Sequence, residues 1–174
     1  QLHARPAPTP TPAHRASLRY GKLNPGVRYV QGMNEVLAPI FFVFGHDKSP
    51  GFAGHHEADA FFCFSSLMAE IRDLFIKGLD ASEGGLRGNM ESLMSLLKRH
   101  DPSLHAHFEE CNINPQFFAL RWFTTLLSRE LVLPDTVRLW DSLLADEHRF
   151  EQGPRSFLLH FCCAMLVFQR STLL

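Results

Sequence analysis

Apolar residues recur at helical spacing along most of the chain. Met33, Val36, Leu37, Ile40, Phe41 and Phe44 fall at i, i+3, i+4, i+7, i+8 and i+11, the stripe of one helix face. They predict a helix over about 32–44. Phe42 and Val43 widen the stripe, so burial on more than one side is expected. Pro39 deprives the Glu35 carbonyl of a donor and is expected to kink this helix. Phe61, Phe64, Met68, Ile71 and Phe75 mark a second helix over about 57–77. Glu57 and Asp59 lie in its first turn, where carboxylates favour the helix dipole, and Lys77-Gly78 makes a stop.

The remaining elements announce their starts. Met90, Leu93, Met94 and Leu97 predict a helix over 89–99, after a loop with three glycines at 80–88. Asp101-Pro102 reads as N-cap and first helical residue, followed by Leu104, Phe108 and Cys111 on one face. Asn114-Pro115 repeats the signal before Phe118, Trp122, Thr125 and Leu126. Leu133-Pro134-Asp135 opens a helix with Val137, Trp140 and Leu144, and residues 157–168 form a last apolar helix. A short helix over 14–23 is stopped by Asn24-Pro25-Gly26. No segment alternates apolar and polar residues at period two, so the fold class is all-α, a single array of about seven helices. Pro6, Pro8, Pro10 and Pro12 make residues 1–13 a disordered or polyproline-like tail, leaving 14–174 as the domain.

Composition narrows the function classes. A 174-residue chain with 45% hydrophobic and 20% charged residues is globular, and its net charge of −1 offers no basic field for nucleic acid or anionic membrane. The longest apolar runs, 36–44 and 157–168, are too short to span a bilayer. Cys63, Cys111, Cys162 and Cys163 form no CxxC pair and are expected to be reduced core thiols of a cytosolic protein. His46-Asp47, His100-Asp101 and His55-His56-Glu57 raise the possibility of a metal phosphohydrolase. Such a site needs further ligands converging from other helices, and neighbours in sequence point to different sides of a helix. No phosphate loop, GxSxG elbow or Cys/His nucleophile pattern occurs. Arg121-Trp122 and Arg138-Leu139-Trp140-Asp141 read as core aromatics with a satisfied ion pair, Asp141 pairing with an arginine inside the array.

The polar stretch Tyr29-Val30-Gln31-Gly32-Met33-Asn34-Glu35 stands where an apolar helix begins. Backbone N–H groups are free to meet an anionic partner there. Gln31-Gly32 is either a tight turn into a core helix or a glutamine held at a partner's reaction centre, as when a glutamine orients the attacking water in nucleotide hydrolysis.

Together with Glu57-Ala58-Asp59-Ala60-Phe61-Phe62-Cys63-Phe64, Pro115-Gln116-Phe117-Phe118-Ala119-Leu120-Arg121-Trp122, Leu133-Pro134 and Arg138-Leu139-Trp140-Asp141, this stretch resembles the TBC domain of Rab GTPase-activating proteins. The likeness runs from about Leu18 to Gln169. It implies the C-terminal portion of a TBC-type helical domain. It also implies a Rab-family small GTPase in its GTP form as partner, with GTP and magnesium held by the Rab and no cofactor of the chain's own. Gln31 falls on the family's glutamine finger, which enters the Rab site, orients the water and displaces the Rab's own glutamine. Tyr29, Gly32, Met33 and Asn34 are the implied positioning and partner-binding residues. The location implied is cytoplasmic, peripheral to vesicle membranes through the Rab. The family's second finger, the arginine of an IxxDxxR motif, has no counterpart in these 174 residues, nor has the upstream RxxxW block. Arg15 and Arg19 lack the aspartate of that motif. A truncated and weakly active or inactive activator is therefore expected, with a non-catalytic Rab-binding module as the alternative. Residues 151–156 look inserted, and bare apolar surface is expected where a missing N-terminal part would pack.

Overall fold

The computed structural model describes residues 11–27, 29–49, 54–75, 85–147 and 156–174. Among the described residues there are helices and turns and no strand, as the sequence pattern predicts. The expected tail lies outside them up to residue 10, as do the Lys77-Gly78 stop and the inserted-looking residues 151–155. By compactness the chain divides into two units, residues 1–65 and 66–174.

In the first unit, α1 (Pro12–Leu23) starts two residues earlier than expected. The Thr11 hydroxyl accepts the His14 N–H over 3.2 Å, and Pro12 takes the first helical position, where a missing N–H costs nothing. Asn24 ends the helix by donating its backbone N–H (3.0 Å) and its side-chain amide (2.9 Å) to the Tyr20 carbonyl. Helix α2 (Met33–His46) packs on α1 and runs through Pro39. Met33, Val36, Leu37 and Ile40 are buried as the stripe requires, but Phe42 and Val43 are 43% and 48% exposed, which corrects the two-sided burial. At about 100° per residue, Phe42 lies about 180° round the axis from Met33, away from the packed face. Helix α3 (His56–Ile71) continues into a 3-10 turn, Arg72–Phe75. Tyr20 of α1 sets its ring edge-to-face against Phe64 of α3 at 5.3 Å.

The second unit is built on α4 (Leu86–His100), which packs against α5 (Pro102–Glu110), α6 (Gln116–Thr125) and α8 (Phe157–Phe168). Helix α4 begins three residues before the expected start. Gly85 serves as its N-cap, and both the backbone N–H and the side-chain amide of Asn89 donate to the Gly85 carbonyl. Asp101 caps α5 as its Asp-Pro signal predicts, accepting the Leu104 N–H at 3.0 Å. Helix α6 ends where Leu126 and Leu127 take φ of 48° and 63°. Helix α7 (Leu133–Ala145) follows with Pro134 in its first turn. Ser156 caps α8, and a single turn, α9 (Arg170–Leu173), unforeseen from the sequence, closes the described chain. Its Arg170 reaches back to Asp101 (2.9 Å) and Ser103 (2.9 Å).

Two further expectations are corrected. Cys162 and Cys163 are buried, but Cys63 and Cys111 are exposed. Cys63 falls off the face of α3 that carries Ala60, Phe64, Met68 and Ile71, and Cys111 follows the last turn of α5. Asp141 is exposed on α7 and needs no buried partner, while Arg138 donates to the Ser142 hydroxyl at 3.3 Å. The expected ion pair beside Trp122 does form, Arg121 gripping Glu130 with two nitrogens at 2.6 and 3.0 Å.

Candidate functional site: the glutamine turn

Residues 30–33 form a tight turn at the head of α2. The Met33 N–H donates to the Val30 carbonyl over 3.2 Å, which places Gln31 and Gly32 at the turn's two central positions. Gly32 has φ 111° and ψ −24°. A type II turn demands positive φ at this position, and only glycine meets that without strain. The Gly32 carbonyl then accepts from Glu35 (2.9 Å) and Val36 (3.3 Å), so the turn leads directly into the helix. Gly32 is buried and Gln31 is exposed. The backbone thus holds a glutamine outward at the tip of a constrained turn.

Flanking residues close the stem of that turn. The Tyr29 hydroxyl donates to the Asn34 side-chain oxygen at 3.3 Å, and the Asn34 amide donates to a Glu35 carboxylate oxygen at 3.2 Å. The Met33 sulfur lies 3.4 Å from the Val30 N–H, beneath the turn. Met33 is wholly buried. Tyr29 and Asn34 are half-buried. The ring of His14, on α1, stands edge-to-face to Tyr29 with centroids 5.8 Å apart. The sequence pattern singles out the stretch through Glu35 but not His14, whose contact with Tyr29 runs between elements and leaves no local pattern.

Three members of the histidine–aspartate pairs have other partners. His46 bonds the Phe42 carbonyl at 2.8 Å, Asp47 accepts the Ser49 N–H at 2.8 Å, and Asp101 is committed to its cap and to Arg170. Among the described residues no three His, Cys, Asp or Glu side chains come together as metal ligands would. No described helix is long and apolar enough to cross a membrane. Arg15, on α1, lies 3.9 Å from Glu57, and Arg19 is exposed on the same helix.

The helical fold has a counterpart among known families. The Rab-GTPase-TBC domain model matches residues 18–174, and the chain belongs to that family. Among its relatives, human TBC1 domain family member 13 is 54% identical over 155 residues, covering 89% of this chain and 38% of the relative. The wording Lys22-Leu23-Asn24-Pro25-Gly26 and Asn112-Ile113-Asn114-Pro115-Gln116-Phe117 points the same way. Human TBC1 domain family member 22B is 31% identical over 164 residues, covering 87% of this chain and 31% of its own length. The crystal structure of the Ypt/Rab-GAP domain of Gyp1p superposes with a TM-score of 0.77 at 25% identity, over 93% of this chain and 53% of that one. The chain thus spans well under half the length of the first relatives it matches.

Proposed function

We propose that this chain is the glutamine-presenting part of a Rab GTPase-activating domain. The observation that carries the reading is the exposed Gln31 on a turn fixed by Gly32 at φ 111°. A glutamine amide both accepts and donates hydrogen bonds, so one side chain can hold a water in line with the γ-phosphorus. The water oxygen bonds to phosphorus, the bond to the bridging oxygen breaks, and GDP and phosphate leave. Tyr29, Gly32, Met33 and Asn34 position the finger, with Tyr29 and Asn34 near enough to the surface to meet the partner as well. The partner is a Rab-family GTPase in its GTP form, which itself holds the nucleotide and magnesium. The chain brings no cofactor and works in the cytoplasm, at vesicle membranes, through the Rab.

A glutamine orients water but carries no charge. Charge growing on the phosphoryl oxygens calls for a cation in a site that excludes water, and an arginine finger is worth on the order of 10³–10⁵ in rate. No IxxDxxR arginine occurs within these 174 residues. A polypeptide of these residues alone therefore binds a GTP-loaded Rab without strong acceleration, which is the non-catalytic binding reading expressed within the same site. The test is single-turnover GTP hydrolysis across a Rab panel, with binding measured on the same preparation. Binding with little acceleration supports the proposal. No binding to any Rab, or robust stimulation by these residues alone, contradicts it.

A further inference from the structure

We infer that His14 is a positioning residue for the glutamine turn, acting through Tyr29; the inference rests on the reading of Gln31 given above. Hydrogen bonds among residues 29–36 shape the turn: Met33 to Val30, Glu35 and Val36 to Gly32, and Tyr29 to Asn34. They define the turn's shape, and the buried Met33 seats it on the unit. His14 supplies a further attachment. Its ring meets Tyr29 edge-to-face at 5.8 Å and 81°, and edge-to-face is the arrangement that aromatic quadrupoles favour.

His14 is itself held on both sides. Its N–H donates to the Thr11 hydroxyl at 3.2 Å, and its carbonyl accepts the hydroxyl of the fully buried Ser17 at 2.9 Å. From His14 the contacts continue through the Tyr29 hydroxyl to Asn34 (3.3 Å) and through the Asn34 amide to Glu35 (3.2 Å). A line of contacts therefore leads from α1 across the stem of the turn into the first turn of α2, and Gln31 stands at the tip of the loop so closed. A side chain that must hold one water in one place loses effect when its backbone samples several positions.

Amide hydrogen exchange of the 174-residue chain, read by NMR at Met33, tests this. Its N–H closes the turn on the Val30 carbonyl, so its exchange reports opening of the turn. His14→Ala should speed Met33 exchange roughly two- to tenfold, the range an aromatic pair can shift a local equilibrium, with Val36 and Leu37 unchanged. His14→Phe, which keeps a ring at the position, should restore the parent rate. His14→Ala should also weaken binding to a Rab carrying GDP and aluminium fluoride by a similar factor, while His14→Phe should not. Unchanged Met33 exchange in His14→Ala overturns the inference, even if the chain binds Rabs. Acceleration spread through all of α2 also overturns it, because His14 would then hold the helix and not the turn. Local acceleration rescued by Phe, in a chain that binds no Rab, confirms the buttress and contradicts the reading of Gln31 instead.

Discussion

The indole N–H of Trp140, on α7, donates to the Leu126 carbonyl just past the end of α6, over 2.8 Å and fourteen residues of chain. Leu126 and Leu127 adopt left-handed backbone that non-glycine residues seldom enter. The bond gives the Leu126 carbonyl, which the finished helix no longer uses, a buried partner. Trp140 is 6% exposed, so it both fills the core and closes this helix end.

Trp140→Ala should therefore lower unfolding free energy by about 3–5 kcal/mol, the range for emptying a large aromatic core site. Trp140→Phe keeps much of the volume and loses the donor. Its smaller cost, about 1–3 kcal/mol, would measure the stranded Leu126 carbonyl. Urea unfolding of the three proteins checks both values, and a midpoint unmoved by Trp140→Ala would contradict the packing of α7.

Gly32→Ala places a Cβ on a backbone with φ 111°. The strain should be about 1–3 kcal/mol, and relief of it should disturb the turn that carries Gln31. Urea unfolding should register the loss. The NMR signals of the Gln31 side chain should broaden or shift in the same variant, while those of α4 stay in place.

Asp101 gives the fold a pH dependence of known sign. The Leu104 N–H, then the Ser103 hydroxyl, and beyond them Arg170 hold its carboxyl below the usual aspartate range. A folded-state pKa below the unfolded one stabilises the fold above the unfolded value, about 4, and that contribution fades as pH falls through the folded value. Asp101→Asn should be less stable than the parent at pH 7, and the gap should shrink by pH 3. Denaturation midpoints at the two pH values test this, and a gap that widens in acid would contradict the cap.

The four thiols should separate into two classes. Burial pushes Cys162 far above the usual thiol range, with the neighbouring Cys163 and Glu130 acting in the same direction, and burial also raises Cys163. Ellman's reagent should label only the exposed Cys63 and Cys111 in native protein and all four after unfolding. Desolvation lifts the Cys63 thiol too, so it should react more slowly than a fully solvated thiol. Two fast thiols that mass spectrometry located at Cys162 and Cys163 would contradict the burial of α8.

Much of this was legible in the sequence because the signals are local. The i, i+3, i+4 stripe found the buried face of α2, and Asp101-Pro102 found a helix start, since a side chain that caps its own helix needs no distant partner. The glutamine turn was legible for the same reason, as Gln31-Gly32 carries its turn chemistry in two residues. Phe42 and Val43 misled because an apolar side chain has the same composition whether or not a neighbour covers it. Cys63 and Cys111 misled likewise, thiols being small and apolar enough for either place. The start of α4 was set too late because Gly88 reads as a loop residue, whereas Gly85 and Asn89 make the cap. The contacts of His14 with Tyr29 and of Arg170 with Asp101 run between elements, and periodicity carries no record of those.

The central claim, that Gln31 is the water-orienting finger, is tested most directly by joining these 174 residues to an upstream segment that carries an IxxDxxR arginine. Single-turnover GTP hydrolysis on a responsive Rab is then compared with and without Gln31→Ala. The proposed finger role predicts that Gln31→Ala removes most of the stimulation and leaves Rab binding in the GTP form largely intact, and the exposure of Gln31 predicts an unchanged unfolding midpoint. Full stimulation by a folded Gln31→Ala protein would contradict the account.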